Sequence, residues 1–423
     1  MNLELRKDNI RYLYYLLLLF MFFYGIQFTG MAFSTSKYCL VLISIEAFLI
    51  RQVYIRKDVI VQMFLVGMVV FYSYYISNVR GDGDMQVIEL GTTLLLECYF
   101  IGSLLANILK YRGFTASKFM DLLTAVFALQ GGLMLLMLIS GSFRDFIFGA
   151  TGNHGLNQFI TTGHRGLAIS WHKYYDFSSF QSIGAIIIAL KYRYSHKLTK
   201  FDILKYVLII FSVITSGRTG MIGVVLSFAL FLWSFLYVRK KVLRYIVILI
   251  FVPYMAFESL SIVSPKVYNS LSAKLLPWAF EAYYNYVESG QISTESSDYL
   301  FENFYFDVYE QTLLFGDGRY RDGEEYYMDT DAGYMRHILF FGLLGSVILV
   351  FSYLRMAFIG IIRGNSKYSI IILICIGYNL LVHYKGDVLL NSLINMRLMV
   401  VLFLMFSYSS VFAFENDEKM VEI

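Results

Sequence analysis

One short run in the last quarter of the chain holds the three groups favoured here to move a proton. It reads Asp329-Thr330-Asp331-Ala332-Gly333-Tyr334-Met335-Arg336-His337. A carboxylate or imidazole placed about 3 Å from a hydroxyl can act as a general base, which makes Asp331, Asp329 and His337 the catalytic candidates. Asp331 is preferred, because Gly333 permits close backbone approach and Arg336 would keep a neighbouring carboxylate ionised. Its alternative role is a helix cap. A second group consists of arginines set among small residues. Arg165 stands in Thr162-Gly163-His164-Arg165-Gly166-Leu167, and Arg218 in Thr215-Ser216-Gly217-Arg218-Thr219-Gly220. A guanidinium fork matches phosphate oxygens, so Arg165, His164 and Arg218 are read as a phosphate or pyrophosphate site. Arg319 and Arg321, after Gly316-Asp317-Gly318, join them as substrate-binding candidates, as do Tyr334 and Arg336.

Arg397 lies inside an apolar run, where a charge is expensive and marks a site or a buried pair. Glu46, Glu89, Glu97 and Glu258 are its possible counter-charges. No metal or cofactor is expected. His154, His164 and His172 lack ligand spacing, Asp329 and Asp331 lack the rest of a calcium loop, and no nucleotide-binding motif occurs.

These residues need a scaffold, and composition says what kind. The 423 residues are 58% hydrophobic, with three prolines, and the mean hydropathy is +0.60. Such a chain is a polytopic membrane protein. The net charge of +4 does not point to nucleic acid, because Lys and Arg collect in short loops between apolar runs. Cys39, Cys98 and Cys375 fall within apolar segments and are read as core thiols rather than a disulfide framework. With about 20 apolar residues per span, twelve helices are expected, near 11–33, 37–54, 58–78, 86–109, 118–140, 176–192, 203–217, 219–238, 242–261, 333–356, 368–384 and 389–413. Basic residues concentrate on one side, leaving only Lys37, Arg80, Arg218 and Lys385 in the short loops opposite. That bias places both termini inside.

The expected organisation is spans 1–9 over residues 1–261, a large outer loop over 262–332, and spans 10–12 with an inner tail over 333–423. The large loop is acidic, with thirteen Asp and Glu against four Lys and Arg between Val263 and Met335. Loops of this length usually carry function. Two helices are expected in it, Pro265–Glu288 and Ser293–Leu314, the second capped by Ser293. Their Trp, Tyr and Phe residues suit a membrane surface and also suit stacking on sugars. An earlier outer loop, 141–176, carries Arg165 and the three histidines.

Four pieces, in this order and placement, resemble the bacterial O-antigen polymerase (Wzy-type) family within the wider O-antigen ligase and polymerase group. They are Arg165-Gly166-Leu167 before Phe177-Ser178, Thr215-Ser216-Gly217-Arg218-Thr219-Gly220, Leu314-Phe315-Gly316-Asp317-Gly318, and Asp331-Ala332-Gly333-Tyr334-Met335-Arg336 before Gly342-Leu343-Leu344-Gly345. The resemblance implies a metal-independent glycosyltransferase at the outer face of a bacterial inner membrane. It would move a growing glycan from undecaprenyl pyrophosphate to the outer sugar of another lipid-linked repeat unit. Arg165 and Arg218 would address the carrier, and the acidic loop would receive the acceptor. The implied partners are lipid-linked oligosaccharides, the bilayer, a chain-length regulator and a flippase. Two features depart from the pattern: Ser297-Asp298-Tyr299 stands where relatives often carry an Arg, and a ligase-like His motif after the Gly-rich turn is missing. The rival expectations are a ligase-like transferase and, from another class, a polysaccharide flippase or transporter.

Overall fold

A computed structural model describes residues 2–407 except 82, 153–154, 164, 171–173, 196–197, 236–250, 252–253, 256, 259–260, 263–264, 324 and 365. Much of the expected span 242–261 and all three of His154, His164 and His172 therefore lie outside the described residues. The described chain is all-α apart from one hairpin, in which Arg321–Asp322 pairs antiparallel with Glu325–Tyr326. Four described helices are long and apolar enough to cross a membrane: Lys57–Arg80, Gln86–Tyr111, Ala116–Ile139 and Gly333–Arg363. Shorter apolar helices cover Thr219–Ser234, Tyr368–His383 and Leu393–Ser407.

Two units make up the chain, one from Met1–Cys39 with Ser117–Ile292, the other from Leu40–Ala116 with Ser293–Ile423. In the first unit, the opening helix stops at Tyr24, short of the expected 33. Gly25 turns left-handed at φ 55°, and the Ile26 amide then donates to Thr35 Oγ at 2.9 Å to start the next helix. The segment read as an outer loop folds into helices Gly141–Ala150 and Leu156–Thr162. Ser140 caps the first by accepting from the Phe143 amide, and Gly163 ends the second at φ 77°. Helix Tyr174–Ser195 is buried along most of its length and packs on Lys200–Ser216 and Thr219–Phe235.

The large loop is helical as expected, but in shorter pieces. Its first part runs Pro265–Ser270, a π-turn at Leu271–Leu275, Leu276–Ala279 and Glu281–Ser289. Its second part starts one residue later than expected, because Thr294, not Ser293, accepts from the Ser297 amide. That part breaks after Phe304, where Tyr305 turns extended, and resumes at Glu310–Phe315. The break lets Phe304, Tyr305 and Phe306 pack on Ala332, Met335 and Leu339 at the start of the helix that follows. Tyr305 also stacks on Tyr384 at 4.6 Å and donates to its carbonyl. Those rings are partly buried, whereas Tyr283, Tyr286, Tyr299 and Phe301 are exposed.

The second unit turns on one glycine. Helix Gly333–Arg363 is interrupted at Gly342, with φ 64° and ψ −171°. A break in an apolar helix strands carbonyls that have no water to turn to. Here the Asp317 amide donates to Leu339 O at 2.6 Å and the Gly318 amide to Phe340 O at 3.2 Å. The approach requires glycine on both sides. A Cβ at Gly342 would lie 2.4 Å from the Leu314 carbonyl, one at Gly316 2.2 Å from Phe340 O, and one at Gly318 2.6 Å from Ile76 O. Two of the four motif pieces, the Gly316–Gly318 turn and the Gly342–Gly345 run, are thus halves of a single joint.

Candidate functional site

In the first unit the two arginine motifs meet. Gly166 sits at φ 84°, and its backbone lies so close to Gly155 that a Cβ on either would collide with the other's carbonyl. That contact closes the turn carrying Arg165, whose amide donates to Thr162 Oγ at 2.9 Å. Gly220 packs on helix Tyr174–Ser195, where a Cβ would lie 2.4 Å from Ser178 O, which fixes the turn carrying Arg218. Trp278, from the large loop, lies within reach of both. The Arg165 guanidinium carbon is 4.5 Å from the indole centre and that of Arg218 is 5.2 Å from it. Arg218 also donates to Glu281, forming an ion pair in which both side chains are largely buried. Two arginines over one indole form a cationic platform suited to phosphate oxygens.

The second unit holds the remaining candidates. The Gly316–Gly318 joint delivers Tyr320, whose amide and that of Arg321 both donate to Asp84 Oδ2, at 2.7 and 3.0 Å. Tyr320 and Tyr326, edge-to-face with each other, both lie against the buried Arg336, with ring centres 3.8 and 3.6 Å from the guanidinium carbon. The Tyr320 hydroxyl donates to Asp387 Oδ2 at 2.7 Å. Asp387 is fully buried, and His337 Nε2 lies 3.1 Å from its Oδ1. Burial alone would raise the Asp387 carboxyl, but His337, His383 and Arg336 outweigh it and hold the group well below the usual carboxylate range. Burial and the Asp317 carboxylate raise the Tyr327 phenol, which donates to Asp317 Oδ2 at 3.4 Å.

Asp331 and Asp329 lie at an open face of the second unit. With Phe304, Arg321, Glu325 and Tyr326 they line an open groove of about 420 Å³. The cap position of helix Gly333–Arg363 is Ala332, whose amide donates to Thr330 Oγ at 3.3 Å, so the capping alternative for Asp331 does not hold. Asp331 is half-buried and Asp329 exposed, while His337 is closed off from solvent. Arg321 and Arg319 lie near the Tyr326 and Tyr327 rings, at 5.7 and 5.9 Å. The Tyr334 hydroxyl donates to Leu380 O at 2.8 Å. Arg397 forms a buried ion pair with Glu97, one of the four counter-charges expected for it, while Glu46 goes to Arg112 at 2.9 Å. His164 falls outside the described residues.

Several of these partners escape sequence reading. Asp84, Glu281, His383 and Asp387 belong to no local pattern, and Arg80, read as a loop charge, staples the loop by donating to the Gln311 and Gly316 carbonyls. Among the described residues, one combination could hold a metal ion: His337, His383 and Asp387 place donor atoms within 4.8 Å of one another. Two features oppose it. The Val388 amide donates to His383 Nδ1 at 3.2 Å, which occupies that lone pair. Arg336 acts electrostatically on both His383 and Asp387, so a divalent ion would meet a fixed positive charge with one carboxylate to offset it. No protein-family model, curated protein or solved structure matches the chain.

Proposed function

We propose that the chain is a polysaccharide repeat-unit polymerase of the O-antigen type, with a polyprenyl-pyrophosphate-linked glycan as donor. The observation that carries this is the convergence of Arg165 and Arg218, remote in sequence, on the Trp278 ring. A pyrophosphate leaving group needs fixed cations that strengthen their hold as charge develops on it. Stacked guanidiniums are oriented before the ligand arrives and lose little freedom on binding. Within the second unit, the groove of Asp329, Asp331, Phe304 and Tyr326 is the acceptor candidate on its own chemistry, since carboxylates can accept hydroxyl protons and rings suit sugar C–H groups. Asp331 serves as the base in this scheme. Donor C–O cleavage leaves the lipid pyrophosphate, and the acceptor oxygen, giving its proton to the base, forms the new glycosidic bond. The proposed setting is twelve spans with both termini inside and the large loop facing outward from a bacterial inner membrane.

Transport is the rival that the broken helix favours, since interrupted spans often mark substrate paths. At Gly342, however, the stranded carbonyls are taken by Asp317 and Gly318 amides, not left to line a path. The experiment is reconstitution with a synthetic lipid-linked repeat unit. Wild type is expected to yield a ladder of glycans on the carrier. Arg218→Lys keeps the charge, loses the fork and is expected to cut extension at least tenfold with normal protein level. Undiminished ladders from an Arg165→Ala/Arg218→Ala protein would place the donor elsewhere.

A further inference from the structure

Both rings that line the acidic groove, Phe304 and Tyr326, trace back to one buried loop that does not line it. Tyr384 and Asp387 stand three residues apart in the segment joining helix Ser366–His383 to helix Leu393–Ser407. The Tyr384 ring stacks on Tyr305 at 4.6 Å, and its carbonyl accepts from the Tyr305 hydroxyl at 2.6 Å. Tyr305 is the chain neighbour of Phe304. Asp387 Oδ2 accepts from the Tyr320 hydroxyl at 2.7 Å, and Tyr320 lies edge-to-face on Tyr326. The loop is fixed in its turn. The Val388 amide donates to His383 Nδ1 at 3.2 Å, the Leu390 amide to Asp387 Oδ1 at 3.0 Å, and the Tyr353 hydroxyl to Leu389 O at 2.6 Å. Asp387, Val388, Leu389 and Leu390 are all buried, and buried backbone outside a helix keeps its place only while such partners hold it. Every residue named belongs to the second unit.

We infer that Tyr384 and Asp387 are positioning residues: through Tyr305 and Tyr320 they set where Phe304 and Tyr326 stand, so one loop shapes the groove from outside it. That the groove takes an acceptor sugar rests on the reading above, whereas the clasp stands on the contacts alone. A binding surface is held ready when the side chains behind it are themselves locked, which spares the cost of ordering it as the ligand arrives. Here the lock is shared. If each ring were held separately, a disturbance at one contact would stay local; with a common loop, a disturbance beneath the loop reaches both.

The test is amide hydrogen exchange, read by mass spectrometry on the detergent-solubilised full chain. Tyr353→Phe removes the hydroxyl that supports Leu389 and leaves the partners of Tyr305 and Tyr320 in place. It is expected to speed exchange about tenfold in both 302–308 and 319–323, with helix Ala116–Ile139 unchanged. Tyr320→Phe cuts one arm and should free 319–323 alone. Tyr305→Phe cuts the other and should free 302–308 alone. A response to Tyr353→Phe in one stretch only, in neither, or throughout the chain would overturn the inference. So would a response of both stretches to either single-arm variant. The kinetic readout uses a soluble repeat-unit oligosaccharide as acceptor at fixed lipid-linked donor. There Tyr353→Phe should raise the acceptor KM about threefold and leave kcat within about twofold. If exchange behaves as expected while KM does not move, the acceptor reading of the groove fails and the positioning role stands. If KM rises while exchange is unmoved, the positioning role fails.

Discussion

Gly342→Ala tests the joint between the turn and the broken helix. Two costs combine. At φ 64° and ψ −171° the residue occupies backbone space open essentially to glycine, worth about 1–3 kcal/mol of strain for any other residue. The new Cβ would also lie 2.4 Å from the Leu314 carbonyl carbon, its oxygen and the Phe315 nitrogen. Those are backbone atoms next to a turn tied down by the Asp317 and Gly318 amides, so relief requires moving the turn, at roughly 1–3 kcal/mol by overpacking rules. The total, about 2–6 kcal/mol, is a large part of the ~5–15 kcal/mol that folded domains hold in reserve. The control is Gly67→Ala in helix Lys57–Arg80, where a Cβ meets nothing within 4 Å. There alanine should stabilise by about 0.5–1 kcal/mol. In parallel thermal melts in one detergent, Gly342→Ala should fall below wild type by on the order of 10 °C, and Gly67→Ala should match or exceed it. Indistinguishable melts for the two variants would show that the backbones do not meet as described.

Three further outcomes are expected. Arg397→Leu strands the Glu97 carboxylate in a buried site and should lower stability by about 3–5 kcal/mol, whereas Arg397→Leu/Glu97→Gln should recover most of it in the same melts. Asp331→Asn leaves the Ala332 cap untouched, so protein level should hold while reconstituted chain extension is lost and single repeat units remain; normal chain length would remove Asp331 as the base. Alkaline phosphatase fused after Gly290 should be active and after Lys197 inactive, and the opposite pattern would invert the proposed orientation.

Much of this architecture could be read from the chain, and the exceptions share a cause. Helix Gln86–Tyr111 lies within a few residues of the span expected at 86–109, and Ala116–Ile139 of 118–140, because an uninterrupted apolar run fixes helix and length together. The glycine motifs were visible as punctuation, but not that Gly316–Gly318 and Gly342 serve one contact; a sequence records that a position needs glycine, not which backbone comes near it. Arg165 and Arg218 were singled out from their small neighbours. Their shared support, Trp278, lies in a loop whose rings were read as membrane-surface or sugar-stacking groups, and nothing local separates it from Tyr283 or Tyr286. Asp387 and Asp84 were missed for the same reason, since each is an isolated acid whose role comes from residues far along the chain. The capping role considered for Asp331 failed by one position, because the cap position falls on Ala332, whose side chain can accept nothing.

The joint at Gly342 also bears on how such a protein can diversify. The stretch between Gly318 and Thr330 is held at one end by the Phe340 carbonyl and at the other by Thr330 Oγ donating to Phe304 O at 2.9 Å. Between these posts lies the Arg321–Tyr326 hairpin that walls the acidic groove. Lengthening a loop with fixed ends costs little, about 0.6 kcal/mol for each doubling. Only the turn between Asp322 and Glu325 is therefore exchangeable: it can be swapped or extended while Tyr320, Arg321 and Tyr326 keep their contacts and the apolar helices keep their sequence.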